Sequence, residues 1–93
     1  DLAAVPVYDG AEALAEAGVR STIWAANMAA AAVEGGQGAR LALLHDPQTA
    51  GGMLAAVGAE EAEGLVAQLR AAGHEAAVIG RVVAGPVGIR VKG

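Results

Sequence analysis

The sequence predicts a mixed α/β (α+β) domain in which a mixed sheet packs against helices. Three observations lead there. Residues 59–72 carry an amphipathic helical pattern, with Ala62, Leu65, Val66, Leu69 and Ala72 on one face. Short apolar runs rich in Val, Leu and Ile stand at residues 41–44, 53–57, 76–83 and 87–91. The part before residue 41 is built of alanine-rich stretches punctuated by glycine and reads as mainly helical. The expected organisation is therefore one partial domain over residues 1–93, helical in its first half and strand-helix-strand-strand over residues 41–93.

In chain order, residues 2–8 (LAAVPVY) read as the end of a strand or an extended connector, because Pro6 removes an amide donor. Asp9, with Glu12 three residues on, resembles a capping box and starts a helix over residues 11–17. Gly18 is placed to close it in a left-handed conformation. Ser21 or Thr22 caps a second helix that runs to about Val33, with Ile23, Trp24 and Met28 on its apolar side. Asn27 is an oddity among alanines there, a candidate buried polar anchor, and Trp24 is a candidate core or interface residue. Gly35, Gly36 and Gly38 end the helix in GGQGAR, a flexible loop without the Lys-Ser/Thr ending of a phosphate loop. Residues 53–57 read as a short strand. The helix at 59–72 has Glu60, Glu61 and Glu63 at its positive end, Arg70 near its negative end, and Gly73 as its stop. Residues 76–83 and 87–91, joined by a Gly85-Pro86 turn, predict a hairpin.

Composition limits the function classes. The chain has no Cys, so disulfides and cysteine-ligated zinc are excluded. Its formal net charge of -4 and pI near 4.9 argue against a nucleic-acid partner. The stretch at 21–33 is too short for a membrane span, and no secretory leader is legible, so a cytoplasmic protein is expected. The first residue is Asp rather than Met, which suggests a fragment. The bias to Ala, Gly and Arg reads as the codon use of a GC-rich bacterium. With 25 Ala and 14 Gly, the core is made of small side chains, so a partner surface is expected to add to its stability.

The most unusual local stretch is DPQTAGG, residues 46–52. Pro47 fixes its own φ and pushes Asp46 to an extended conformation. Gln48 and Thr49 bring polar side chains, and Gly51 and Gly52 admit close approach of a backbone or a ligand. Successive amides there can form an anion-binding concavity. Two roles remain open on these residues alone: a turn that packs a strand against a helix, or a ligand contact. His45 and His74 read as surface or capping residues, His45 with the added feature of adjoining this loop. No catalytic constellation is complete: Cys is absent, the one Lys is Lys92, and no metal-ligating cluster is legible.

DPQTAGGMLAAV, residues 46–57, resembles the C-terminal signature of selenophosphate synthetase (selenide, water dikinase), usually DPQT-S/A-GGLL. The similarity extends over VPVYDGAEALAEAGVRST before it and LRAAGHEAAVIGRVV after it, and so over nearly the whole chain. Ala50 and Met53 are small departures, and Ala50 is similar to versions fused to a flavin-dependent oxidoreductase. The resemblance implies a partial C-terminal α/β domain of the aminoimidazole ribonucleotide synthetase type. It implies a parent enzyme that makes selenophosphate, AMP and phosphate from ATP, selenide and water with Mg²⁺. The implied partners are the N-terminal ATP-binding domain of the same chain and a second copy in a homodimer. The catalytic Cys or selenocysteine, its Lys and the metal-binding aspartates of that family belong upstream, so the fragment is expected to be inactive and to bind no cofactor alone. Asp46, Gln48, Thr49, Gly51 and Gly52 are then the candidates for the wall of the nucleotide cleft. Two other readings stay open: another enzyme of that superfamily, such as a hydrogenase-maturation or thiamine-phosphate kinase relative, or a stand-alone ferredoxin-like module that binds a metabolite.

Overall fold

The computed structural model describes residues 1–93. A short 3₁₀ turn, Leu2–Ala4, is followed by four α-helices: α1 (Ala11–Glu16), α2 (Trp24–Ala30), α3 (Gly38–Leu43) and α4 (Ala59–Ala71). The expected mixed sheet does not form. The single β-type pairing is an isolated parallel bridge between Glu34 and Arg90.

Helix stops follow the local chemistry closely. Gly18 (φ 84°) and Gly73 (φ 88°) both adopt the left-handed conformation. At each, the glycine amide and the next amide fold back on the helix: Gly18 to Ala15 O and Val19 to Leu14 O, then Gly73 to Arg70 O and His74 to Leu69 O. These are Schellman closures, which satisfy carbonyls the helix leaves without partners.

Helix starts differ from expectation. The N-cap of α1 is Gly10, left-handed at φ 82°, not Asp9. Glu12 is not folded back as in a capping box, because its carboxylate is taken by Arg40. Ser21 does not cap α2 directly. Its Oγ accepts from Ile23 N at 3.3 Å and its carbonyl from Trp24 N at 3.1 Å, so it shapes the turn one step before the helix. That helix stops at Ala30, short of Val33, because Glu34 must be extended: its N donates to Ile89 O and its O accepts from Val91 N, both at 2.8 Å.

The run at residues 41–44 is not a strand. Residues 41–43 are the end of α3, which packs on α1 and the N-terminal turn. Four apolar residues carry too little periodicity to separate the two states. Arg40 decides the case: Nε and Nη2 bond the two Glu12 oxygens at 2.7 and 3.0 Å, while Nη1 bonds the carbonyls of Val5 (2.7 Å), Leu2 (3.1 Å) and Ala3 (3.3 Å).

The buried residues are Leu2, Ala15, Ala42 and His45. Leu2 ties the C-terminal tail to this small core, its amide donating to Lys92 O at 2.8 Å. GGQGAR is consequently a packed segment rather than a free loop. A Cβ on Gly36 (φ 72°) would lie 2.5 Å from Val91 Cγ2 and 3.1 Å from Leu2 Cδ1.

Residues 53–57, 76–83 and 87–91 form no strand, and no ladder hydrogen bonds run between them, so the hairpin is absent. Met53, Leu54, Val82, Val83 and Val87 are largely exposed. The apolar face of α4 is also open, with Leu65 and Leu69 more than a third exposed. Helices close on contacts within a few residues, whereas a sheet needs distant strands to meet, and here only Glu34 and Arg90 do.

Two stability predictions follow from this geometry. Gly36→Ala meets both a left-handed φ and a crowded Cβ, and should cost about 2–4 kcal/mol in urea unfolding monitored by the single Trp. Arg40→Lys, which cannot reproduce the forked pattern, should cost about 1.5–3 kcal/mol, whereas Arg90→Lys should change stability by less than about 0.5 kcal/mol. The Arg90–Glu34 pair is almost three-quarters exposed on both side chains. Equal losses at the two arginines would contradict the role given to Arg40.

Candidate nucleotide-facing loop

Residues 46–52 leave the C-terminus of α3 and lead into the irregular segment before α4. The exit is shaped by the last turn of α3: His45 N donates to Ala42 O and Asp46 N to Leu43 O, both at 3.2 Å. Two side chains of α2 reinforce it. Trp24 Nε1 donates to Ala42 O at 2.8 Å, and Asn27 Nδ2 donates to His45 O at 3.1 Å. Asn27 thus serves as a polar anchor between helices, which explains its place among alanines.

His45 is not a surface residue. It is 6% exposed and meets the Trp24 ring edge-on, with centroids 6.4 Å apart and planes at 87°. The Arg20 guanidinium lies 5.2 Å from the centroid of the same indole, a cation–π distance, and its Nη1 also holds Ala15 O and Val19 O. This cluster is not legible in the sequence, because Arg20, Trp24 and His45 come from separate parts of the chain. His74 is exposed, and its amide completes the closure of α4.

The structure brings Asp46, Gln48, Thr49, Gly51 and Gly52 into one exposed loop. No amide from Gln48 to Val57 donates to another backbone group of the chain. The glycines differ from expectation. Neither Gly51 nor Gly52 has a positive φ, so the alternation of right- and left-handed residues that builds an anion nest is absent here. A Cβ on Gly52 would meet nothing within 4 Å, and one on Gly51 would meet Gln48 Oε1 at 3.1 Å, the movable end of a side chain. Packing of a strand against a helix within this chain does not account for either glycine.

No group of three or more His, Asp or Glu side chains converges anywhere in the chain, and no helix is long and apolar enough to cross a membrane. The loop therefore offers hydrogen-bond donors and acceptors with one carboxylate, Asp46. That set suits recognition of a polar group and lacks a nucleophile or a paired acid and base.

Gly52→Ala separates packing from recognition. With open space and an ordinary φ, the substitution should leave stability unchanged or raise it by about 0.4–1 kcal/mol through the unfolded state. A loss of more than about 1 kcal/mol in thermal unfolding would show that the chain's own packing requires glycine there.

Comparison with known proteins adds two findings. The family described as AIR synthase related protein, C-terminal domain, matches residues 1–92. A 46-residue stretch is 61% identical to the selenide, water dikinase of Pelobacter propionicus, covering 48% of this chain and 13% of the length of that relative. No solved structure matches the chain. The two matches support the resemblance read from the signature at residues 46–57.

Proposed function

The chain belongs to the family of AIR synthase related proteins, C-terminal domain, and from that premise we propose that it is a C-terminal segment of an ATP-dependent selenide, water dikinase. The observation that carries this reading is the 61% identity over 46 residues to a protein of that name. The family match alone is neutral between members of the superfamily, and the identity favours this one. The parent enzyme is a transferase that converts selenide, ATP and water to selenophosphate, AMP and phosphate. It is a bacterial, cytoplasmic protein and works as a homodimer.

Within that enzyme, residues 46–52 form part of the wall of the nucleotide cleft. The Thr49 hydroxyl and the Gln48 amide donate to phosphate oxygens or fix a neighbouring loop, and the exposed, unpaired amides of Gly51 and Gly52 allow close approach. Asp46, made extended by Pro47, sets the entry to the wall. Mg²⁺ does not fit this segment: Asp46 is the one carboxylate of the loop, and it belongs to no group of three or more His, Asp or Glu side chains. Its ligands come from residues beyond these 93, as do the nucleophile and its Lys, so the isolated chain is inactive and holds no cofactor. The exposed Met53, Leu54, Val82, Val83 and Val87 support an N-terminal ATP-binding domain of the same chain as the partner surface.

The test is AMP release from ATP in the presence of selenide, measured on the full-length protein. Selenide-dependent release is expected, with Thr49→Val lowering kcat/KM for ATP about tenfold, the worth of one hydrogen bond. Turnover that ignores selenide would overturn the substrate, and AMP release by the 93-residue chain alone would overturn its inactivity.

A further inference from the structure

We propose that Trp24 and Asn27 are positioning residues for the loop at residues 46–52, acting as a two-point clamp on the end of α3. This deepens the cleft reading above and rests on it for its consequence in catalysis. The two residues are three apart on α2, so their side chains leave the same face one turn from each other. One holds the carbonyl of Ala42 and the other the carbonyl of His45, at 2.8 and 3.1 Å. The second of these carbonyls belongs to the residue immediately before the loop. The His45 ring is buried edge-on against the same Trp24, so residue 45 is fixed by backbone and side chain together. Asp46 follows directly, and Pro47 restricts the conformations of both itself and Asp46. The direction of the loop is consequently set by α2, an element that contributes no atom to it.

The residue types fit that task. Asn in the middle of a short alanine-rich helix is a poorer helix former than Ala or Leu. The one hydrogen bond of its side chain goes to the carbonyl at the loop's base. Indole is the aromatic ring that supplies an N–H donor and also presents an apolar face to Arg20 and an edge contact to His45.

The experiment uses the full-length protein labelled with ¹³C′-alanine and ¹⁵N-glycine. In this segment four glycines follow alanine, at positions 18, 51, 73 and 85, so Gly51 is read beside internal references. Asn27→Leu removes the donor while improving helix propensity, and Trp24→Phe removes the indole N–H while keeping a ring beside His45. The expected result is a displaced Gly51 amide resonance in both variants, Gly18 and Gly73 unmoved, and a KM for ATP raised about tenfold with kcat within about twofold. An unmoved Gly51 overturns the proposal, as does displacement of all four glycines together or loss of folding in both variants, since either means general packing. Added ATP decides the cleft reading separately: if it leaves Gly51 of the unsubstituted protein unmoved, that reading falls, while the clamp is judged by the substitutions alone.

Discussion

The guanidinium of Arg40 is the interaction on which the order of this chain depends. Its fork is engaged on both sides, with two bonds to the Glu12 carboxylate and three to the carbonyls of Leu2, Ala3 and Val5. It thereby joins α3, α1 and the N-terminal turn at one point. Only a planar group with several fixed donors can do this, since an ammonium offers one centre. Leu2 comes into place through the same turn, and Leu2 in turn holds the C-terminal tail through Lys92 O. Removing Arg40 would therefore loosen contacts far from it. The ion pair is also why Glu12 does not act as a helix cap: one carboxylate cannot serve both sites, and the bidentate partner offers the stronger pair of bonds.

What the sequence revealed was what short-range chemistry controls. Gly18 and Gly73 stop their helices as read, and residues 59–71 are helical as their periodicity required. Asn27 was legible as an anchor, though not the carbonyl it would reach. The misreadings share one cause, which is a partner distant in sequence. Glu12 was assigned to its own helix and belongs to Arg40, 28 residues on. The glycines at 35 and 36 were read as freedom, whereas they give room to Val91. The apolar run at residues 41–44 carries no helical signal of its own, and residues 41–43 are helix in an element whose Arg40 bonds Glu12 of α1. The residues that read as strands lack the ladder that would make them a sheet.

The composition has a direct structural expression. Ala15 and Ala42 are buried where α1 and α3 meet, so two helices approach with almost no side chain between them. Such a contact is close but removes little apolar surface from water. Apart from Leu2, no large apolar residue is buried, and many, among them Leu14, Met53, Leu54, Val82 and Val87, are exposed. Apolar area of that extent, arranged along segments with free backbone groups, is the exposed surface on which the proposed N-terminal partner domain would rest.

The glycines of the loop at residues 46–52 differ from those that close helices or admit a neighbour. Gly18 is explained by a left-handed φ and Gly36 by a left-handed φ and the side chains a Cβ would strike, whereas Gly64, Gly80 and Gly88 share with the loop glycines an ordinary φ and open space. At Gly51 and Gly52 neither reason applies: the φ values are ordinary and the space is open or bounded by a movable side chain. A Cβ would be accommodated at Gly52, and at Gly51 by a small shift of Gln48, so the chain's own packing does not explain these two glycines. Pro47 narrows the conformations of the same segment, in which no amide from Gln48 onward donates to the backbone. A loop stiffened in advance and anchored at its base by Asn27 and Trp24 gives up less entropy when it meets a ligand. Its exposed amides keep their hydration until that moment, so leaving them unpaired carries no burial penalty in the free state. In the proposed cleft role, rigidity at the base together with unpaired donors at the tip would serve recognition of an external polar group.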